Sequence, residues 1–276
     1  MHLTFTKMHG LGNDFIVLED IADSLQLDGD LIRRLADRRR GIGFDQLLLL
    51  QSGTSAKADI RYRVFNADGN EVEQCGNGIR CVAHYLRERG IISGDQLLAE
   101  TANGTVRADI LPDDQVRVDM GVPAFSAAAI PVSLDELHNP VSIDLPDGPI
   151  SAMVLSLGNP HAVLTVSDVS KAPLATLGPA IQQHQLFPAS VNVGFMQIID
   201  RTHIKLRVYE RGAGETPACG SGACAAVVAG IASADLEHEV NVALQGGELQ
   251  VSWAGDNQAV SMTGPATSVY TGEIEI

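Results

Sequence analysis

The sequence predicts an α+β fold with mixed or antiparallel sheets, arranged as two homologous halves. Two observations predict it: many short runs with strand-like alternation around only a few helical patterns, and an internal repeat. The first helical pattern is Asp30 to Arg40, stopped by Gly41. Leu47 to Leu50 is an uninterrupted aliphatic run, and Asp59 to Phe65 alternates as a strand. From Asn77 to Arg89 the apolar residues Ile79, Val82, Ala83 and Leu86 recur at helical spacing, and Gly90 ends the pattern. Thr105 to Ile110 and Val116 to Met120 alternate again, with Asn103-Gly104 as a hairpin turn before them. A third helix is expected over Leu174 to Gln185, followed by strands over Val191 to Ile199 and Ile204 to Tyr209. The fourth helix, Ser221 to Ala232, gathers Ala223, Ala226, Val227 and Gly230 on a small-residue face. Gly246-Gly247 is a further hairpin turn.

The repeat is read by laying residues 60–78 over 204–222 without a gap. Ile60, Arg63, Val64, Glu71, Cys75, Gly76 and Gly78 meet identical residues in Ile204, Arg207, Val208, Glu215, Cys219, Gly220 and Gly222. Leu11-Gly12-Asn13 echoes Leu157-Gly158-Asn159, and Gly43-Phe44-x-Gln46 echoes Gly194-Phe195-x-Gln197. Matches in the same order point to duplication. The divide is expected near Met120-Gly121-Val122-Pro123. The expected halves are 1–119, joined by a returning tail 265–276, and 120–264.

Lys and Arg number 19 against 34 Asp and Glu, a net charge of −15. Such an acidic chain argues against nucleic acid or an anionic membrane as the main partner. The basic cluster Arg33, Arg34, Arg38, Arg39 and Arg40 reads as a solvated helix face. Apolar residues make up 45% of the chain, which excludes disorder, and no apolar run approaches the roughly 18 residues of a membrane span. The N-terminus has no signal-peptide pattern, and four cysteines are too few for a disulfide scaffold, so a reducing cytoplasm is expected.

Each half carries a strand, a polar loop, Cys-Gly-polar-Gly and a helix. A cysteine at a helix N-terminus meets unpaired backbone N–H groups and the positive end of the dipole, which is expected to lower its pKa. Duplication would aim Cys75 and Cys219 at one interdomain cleft. Two sulfurs on opposite faces of one carbon suit inversion of a stereocentre, one removing a proton and the other delivering one. Cys81 and Cys224 lie inside helices and read as packing. Zinc is a poor fit, because Cys75-x5-Cys81 and Cys219-x4-Cys224 lack short ligand knuckles, so no metal is expected. His9 to Phe15 lacks the third glycine of a dinucleotide fingerprint, no P-loop is present, and no lysine is marked for a Schiff base. No cofactor is therefore expected.

Asn13, Asn77 and Asn159, beside glycine or proline, form a candidate polar set with Asn66, Asn192 and Gln46. Asn66 stands nine residues before Cys75, and Glu210 nine before Cys219. Arg211 can clamp a carboxylate and Glu210 an ammonium group, which suits a zwitterionic substrate. A cofactor-free racemase for another amino acid, or a redox or metal-binding protein, are the rival readings.

The segments KMHGLGNDFIVLED (7–20), GFDQLL (43–48), FNADGNEVEQCGNGIRC (65–81), TANG (101–104), GNPHAV (158–163), NVGFMQ (192–197), YERGAGETPACGSGACA (209–225) and MTGPA (262–266) closely resemble diaminopimelate epimerases, from residue 7 to about 270. The resemblance implies two domains, each a β-barrel-like sheet around a central helix. It implies cofactor-free interconversion of LL- and meso-2,6-diaminopimelate, for lysine and peptidoglycan precursors. By resemblance Cys75 is the proton donor and Cys219 the acceptor in the LL-to-meso direction. Asn13, Gln46, Asn66, Gly76, Asn77, Asn159, Asn192, Glu210, Arg211, Gly220 and Ser221 match substrate-contacting positions. His161 and Glu210 match positions that modulate activity, and Tyr270 matches a homodimer interface.

Overall fold

Buried and exposed side chains alternate along most strands, so each sheet buries at least one face. The computed structural model describes residues 2–55, 57–72 and 75–276. The chain runs through β1 (His2–Gly10), β2 (Asn13–Glu19), α1 (Gly29–Ala36), β3 (Gln46–Gln51), β4 (Ile60–Asn66), β5 (Glu71–Val72), α2 (Gly76–Glu88), β6 (Gln96–Thr101), β7 (Gly104–Ile110) and β8 (Val116–Asp119). It continues through β9 (Val141–Leu145), β10 (Gly148–Ser156), β11 (Pro160–Thr165), α3 (Leu174–Gln182), β12 (Asn192–Asp200), β13 (His203–Glu210), β14 (Gly214–Glu215) and α4 (Gly220–Ala232). The last elements are β15 (Glu239–Leu244), β16 (Gly247–Ser252), β17 (Ser261–Gly264) and β18 (Thr267–Glu275). The packing divides into two units. One comprises the residues up to Asp119 together with Thr263–Ile276, the other Met120–Met262.

In the first unit the strand order is β18, β1, β2, β3, β4, β6, β7, β8, with β5 paired to β4. The pairs β2–β3 and β4–β6 are parallel and the others antiparallel. In the second unit the order is β9, β10, β11, β12, β13, β15, β16, with β14 paired to β13. Here β11–β12 and β13–β15 are the parallel pairs. The two sheets thus repeat one pattern of orientations, the topological form of the sequence repeat.

Each sheet is covered on two faces, which explains its continuous apolar strands. In the first unit Leu47 and Leu49 pack with Leu31, Ile32 and Leu35 of α1. Leu48 points the other way, onto the start of α2 at Gly78. The central helix α2 lies against β1, β2, β7, β8 and β18. In the second unit Val193, Phe195, Ala162 and Leu164 pack with Leu174 and Ile181 of α3. The central helix α4 lies against β10 to β13, β15 and β16, and Ala223 to Ala229 are buried throughout. A helix enclosed on all sides must be apolar all round and narrow, hence its alanines, valines and glycines.

Two helix boundaries differ from expectation. Asp28 caps α1 through the Leu31 N–H at 2.7 Å, but the helix stops at Ala36, because Asp37 adopts an extended backbone. Arg38 therefore lies beyond the helix, and the basic cluster is not one solvated helical face. The third helix ends at Gln182 rather than Gln185, closing on Gln183 as its C-cap. Among the described residues no helix is long and apolar enough to cross a membrane.

Candidate active site

Both central helices begin on cysteine. Cys75 is the N-cap of α2, with extended backbone, and its Sγ accepts the Gly78 N–H at 3.4 Å. Cys219 is the N-cap of α4, also extended. The last glycine of each Cys-Gly-polar-Gly run has a packing reason. A Cβ on Gly78 would stand 3.0 Å from Leu48 Cδ2 and 3.3 Å from Cys75 Cβ. One on Gly222 would stand 2.9 Å from Val208 Cγ2 and 3.2 Å from Cys219 Sγ. These glycines seat the helix starts on the sheets and keep the sulfurs in place.

In the first unit, strand ends supply the amides around Cys75. The turn after β1 delivers Asn13, whose Oδ1 lies 3.9 Å from Cys75 Sγ and accepts from Asn77 Nδ2 at 3.1 Å. Gln46 begins β3 and Asn66 ends β4. They are register partners, and Gln46 Nε2 donates to Asn66 Oδ1 at 2.9 Å. Gln46 Oε1 is buried with no hydrogen-bond partner among the described residues. Asn77 is held in turn by Arg80, whose fully buried guanidinium donates to Asn77 Oδ1 at 3.0 Å and to the Pro265 carbonyl at 3.2 Å. Tyr62 is buried nearby, and burial pushes its phenol pKa up, as does Cys75 once it is ionised. Gly76 opens α2 beside this group.

In the second unit a connected chain of polar groups leads to Cys219. Ser221 Oγ lies 3.8 Å from Cys219 Sγ and accepts from Asn159 Nδ2 at 3.2 Å, while Asn159 Oδ1 lies 2.9 Å from His161 Nε2. His161 sits on β11 opposite Asn192, the first residue of β12. Asn192 donates to the Pro160 carbonyl at 3.1 Å and accepts the Arg211 backbone N–H at 2.9 Å. Glu210 ends β13 and is gripped by the Thr216 hydroxyl. The Arg211 guanidinium donates to the Ala189 carbonyl at 3.1 Å. Gly220 and Ser221 form the first turn of α4. Tyr270 stands apart on β18, half exposed, with its ring edge-on to Phe5 at 5.9 Å.

The electrostatics correct one expectation. The Cys219 pKa is raised, not lowered: burial and the adjacent Glu210 carboxylate, to which it is hydrogen-bonded, outweigh the Gly222 N–H and the Ser221 hydroxyl. A resting thiol, not a thiolate, follows. Burial and the neighbouring Arg211 cation lower His161 to about 3, so it is a neutral imidazole. Cys81 is buried within α2, and burial pushes its thiol up to about 12. Cys224 is likewise fully buried in α4. None of the four cysteines is in a disulfide.

Sequence reasoning missed several members of these networks. Arg80 carried a signal: a guanidinium one turn from Cys75, among the apolar positions of its helix. Asp14, Asp45 and Thr216 lie inside or beside the motif segments, yet no pattern singled them out. Asp14 and Asp45 share Arg38, at 2.7 Å each, and the Lys7 ammonium also reaches Asp14. Those cations drive the Asp14 carboxyl far below the usual carboxylate range against the cost of its burial.

Comparison with known proteins places this arrangement. The family model for diaminopimelate epimerase matches residues 5–126 and 153–269. The diaminopimelate epimerases of Chromobacterium violaceum and Nitrosomonas europaea are each 51% identical over 276 residues, covering all of both chains. Among solved structures, a Bacillus anthracis phenazine biosynthesis protein of the PhzF family superposes with a TM-score of 0.72 at 20% identity, over the full length of both chains. A probable proline racemase from Agrobacterium radiobacter also gives 0.72 at 20% identity, over 99% of this chain and 93% of that one. These structures share the fold, an α+β arrangement in two sheet-dominated halves. With the family model spanning most of its length and half its residues identical to full-length relatives, the chain belongs to the diaminopimelate epimerase family.

Proposed function

We propose that the chain interconverts LL- and meso-2,6-diaminopimelate without a cofactor, using Cys75 and Cys219 as paired acid and base. The observation that carries the reading is the duplicated cysteine at the start of both central helices, each within an amide-rich polar network. The two halves, 1–119 with 265–276 and 120–264, each contribute one sulfur. The chemistry requires that both address one carbon from opposite faces.

In the LL-to-meso direction Cys219 is the base. Its thiol is already hydrogen-bonded to Glu210, so the first step is transfer of the S–H proton to that carboxylate. The Gly222 N–H and the Ser221 hydroxyl then stabilise the thiolate. The thiolate removes the α-hydrogen as a proton, and the electron pair enters the substrate carboxylate as enolate charge. To the N–H groups of the two helix starts, with Gly76 and Gly220 at their first positions, we assign the role of opposing that charge. Cys75 delivers its proton to the other face and is left as thiolate; the reverse reaction exchanges the roles. Asn13, Asn66, Asn77, Asn159, Asn192 and Arg211 orient the zwitterionic head groups, and the unpartnered Gln46 Oε1 offers an acceptor to an ammonium group. His161, neutral and bonded to Asn159, positions that amide rather than carrying a proton. The enzyme acts in the cytoplasm, where both thiols stay reduced, and forms a homodimer through the face of β18 that bears Tyr270.

The test is turnover of LL-diaminopimelate in deuterated water under reducing conditions. The intact enzyme should place one solvent deuteron at the reacting carbon. Cys75→Ala and Cys219→Ala should each lose about a thousandfold in kcat. Near-normal activity in either variant, or better turnover of proline or glutamate in a substrate panel, would sink this assignment.

A further inference from the structure

The repeat places one asparagine at the start of β2 and its echo just before β11, but the two halves hold it by different means. Asn13 Nδ2 donates to Asp45 Oδ2 at 3.1 Å. A carboxylate only accepts, so this bond fixes which end of the amide faces away. Asn13 Oδ1 is then left for Asn77 Nδ2 at 3.1 Å and for Cys75 Sγ at 3.9 Å. Asp45 itself is anchored twice more: the Asp14 backbone N–H reaches the same oxygen at 3.0 Å, and Arg38 Nη2 reaches the other at 2.7 Å. Arg38 also spans both oxygens of Asp14, at 2.7 and 2.9 Å, and the Asp14 Oδ1 accepts the Asp45 backbone N–H at 3.0 Å.

The echo positions in the second half carry no such device. Pro160 stands where Asp14 does, and buried Val191 stands where Asp45 does, since Phe15 pairs with Gln46 as His161 pairs with Asn192. There the Asn159 oxygen faces His161, and its Nδ2 faces the helix start through Ser221. The first half therefore offers its cysteine helix a carbonyl oxygen, and the second offers an N–H.

We propose that Asp45, held by Arg38 and the Asp14 backbone, is a positioning residue that locks the Asn13 carboxamide with its oxygen toward Cys75. The lock makes the two duplicated half-sites chemically unlike. An acceptor beside Cys75 favours the S–H form, the form that a proton donor needs at the start of the turnover proposed above, on which this inference rests. Released from Asp45, the amide can turn and offer N–H to the sulfur, which favours the thiolate.

The test is the pH dependence of iodoacetamide alkylation at Cys75, followed by peptide mass spectrometry in the full-length protein. Working at about 0.5 M salt screens the simple loss of an exposed charge. Asp45→Asn should lower the Cys75 midpoint by about one pH unit. In the exchanged pair, Asp45→Asn with Asn13→Asp, the new amide donates to the new carboxylate and an acceptor again faces Cys75, now charged, so the midpoint should rise above that of the unaltered protein. Should Asp45→Asn alone fold poorly, the exchanged pair still decides. An unchanged or raised midpoint in the single variant, or one at or below the unaltered value in the pair, overturns the proposal. Alkylation does not depend on turnover. A chain that shows both shifts yet leaves diaminopimelate untouched keeps the lock and loses the proposed activity, and the opposite pattern removes the lock alone.

Discussion

The two cysteines at the helix starts differ because their surroundings differ, although their sequence contexts are duplicated. Cys219 is 5% exposed and faces a carboxylate, whereas Cys75 is only half-buried and faces an amide oxygen. Brief treatment of the substrate-free protein with iodoacetamide near neutral pH should therefore label Cys75 well before Cys219, Cys81 and Cys224. Quantified peptides would check the order, and equal labelling of Cys75 and Cys219 would contradict it. The cysteines and the amides were legible in the sequence, because duplication marked the first, and glycine or proline neighbours or echoed positions marked the second. Arg80 carried a local signal that went unused, but Asp45 was not legible. It acts by restraining Asn13 from a distant part of the chain, and a pairing of that kind leaves no local spacing to detect. The raised pKa of Cys219 was misjudged for a related reason. A helix N-terminus is a property of the local chain, but Glu210 and burial reach the sulfur only once β13 and the core are assembled.

Among the elements, the two central helices owe their position to the glycine three residues after each cysteine. Gly222→Ala would drive a methyl group against Val208 and toward the Cys219 sulfur. We expect a destabilisation of about 1–3 kcal/mol in urea denaturation, even though alanine favours a helix. Activity should fall further than the lost stability explains, since the methyl also displaces the sulfur. A variant as stable and as active as its parent would show that the helix can shift freely. Periodicity located α2 and α4 almost to the residue, because their capping and packing signals are local. It overran α1, since Asp37 turns the backbone before the basic cluster. It also left much of the sheet unassigned. Strands such as β2 and β3, buried on both faces, read as plain apolar runs without alternation.

At the scale of the whole molecule, stability couples to protonation through His161. Its folded-state pKa of about 3 lies below the ordinary 6.5. Between those values the unfolded chain binds the extra proton, so the stabilisation is complete above pH 6.5 and is lost as pH falls toward 3. The slope is about 1.4 kcal/mol per pH unit for one proton. Denaturation of the native protein and of His161→Gln at intervals from pH 7 to about 4.5 should show a difference that shrinks with acidity, above the range where carboxylates titrate. Parallel stability curves would mean that the imidazole is hydrated or charged in the fold. The amino-acid sequence by itself determined the class of the fold, its duplication, the two cysteines and the family, because strand alternation, helix period and repeated motifs are written along the chain. The tertiary structure alone decided how two nearly identical motifs came to differ. Charge, burial and the direction of an amide at each sulfur are set by residues remote in sequence, and only folding brings their fields to bear on one atom.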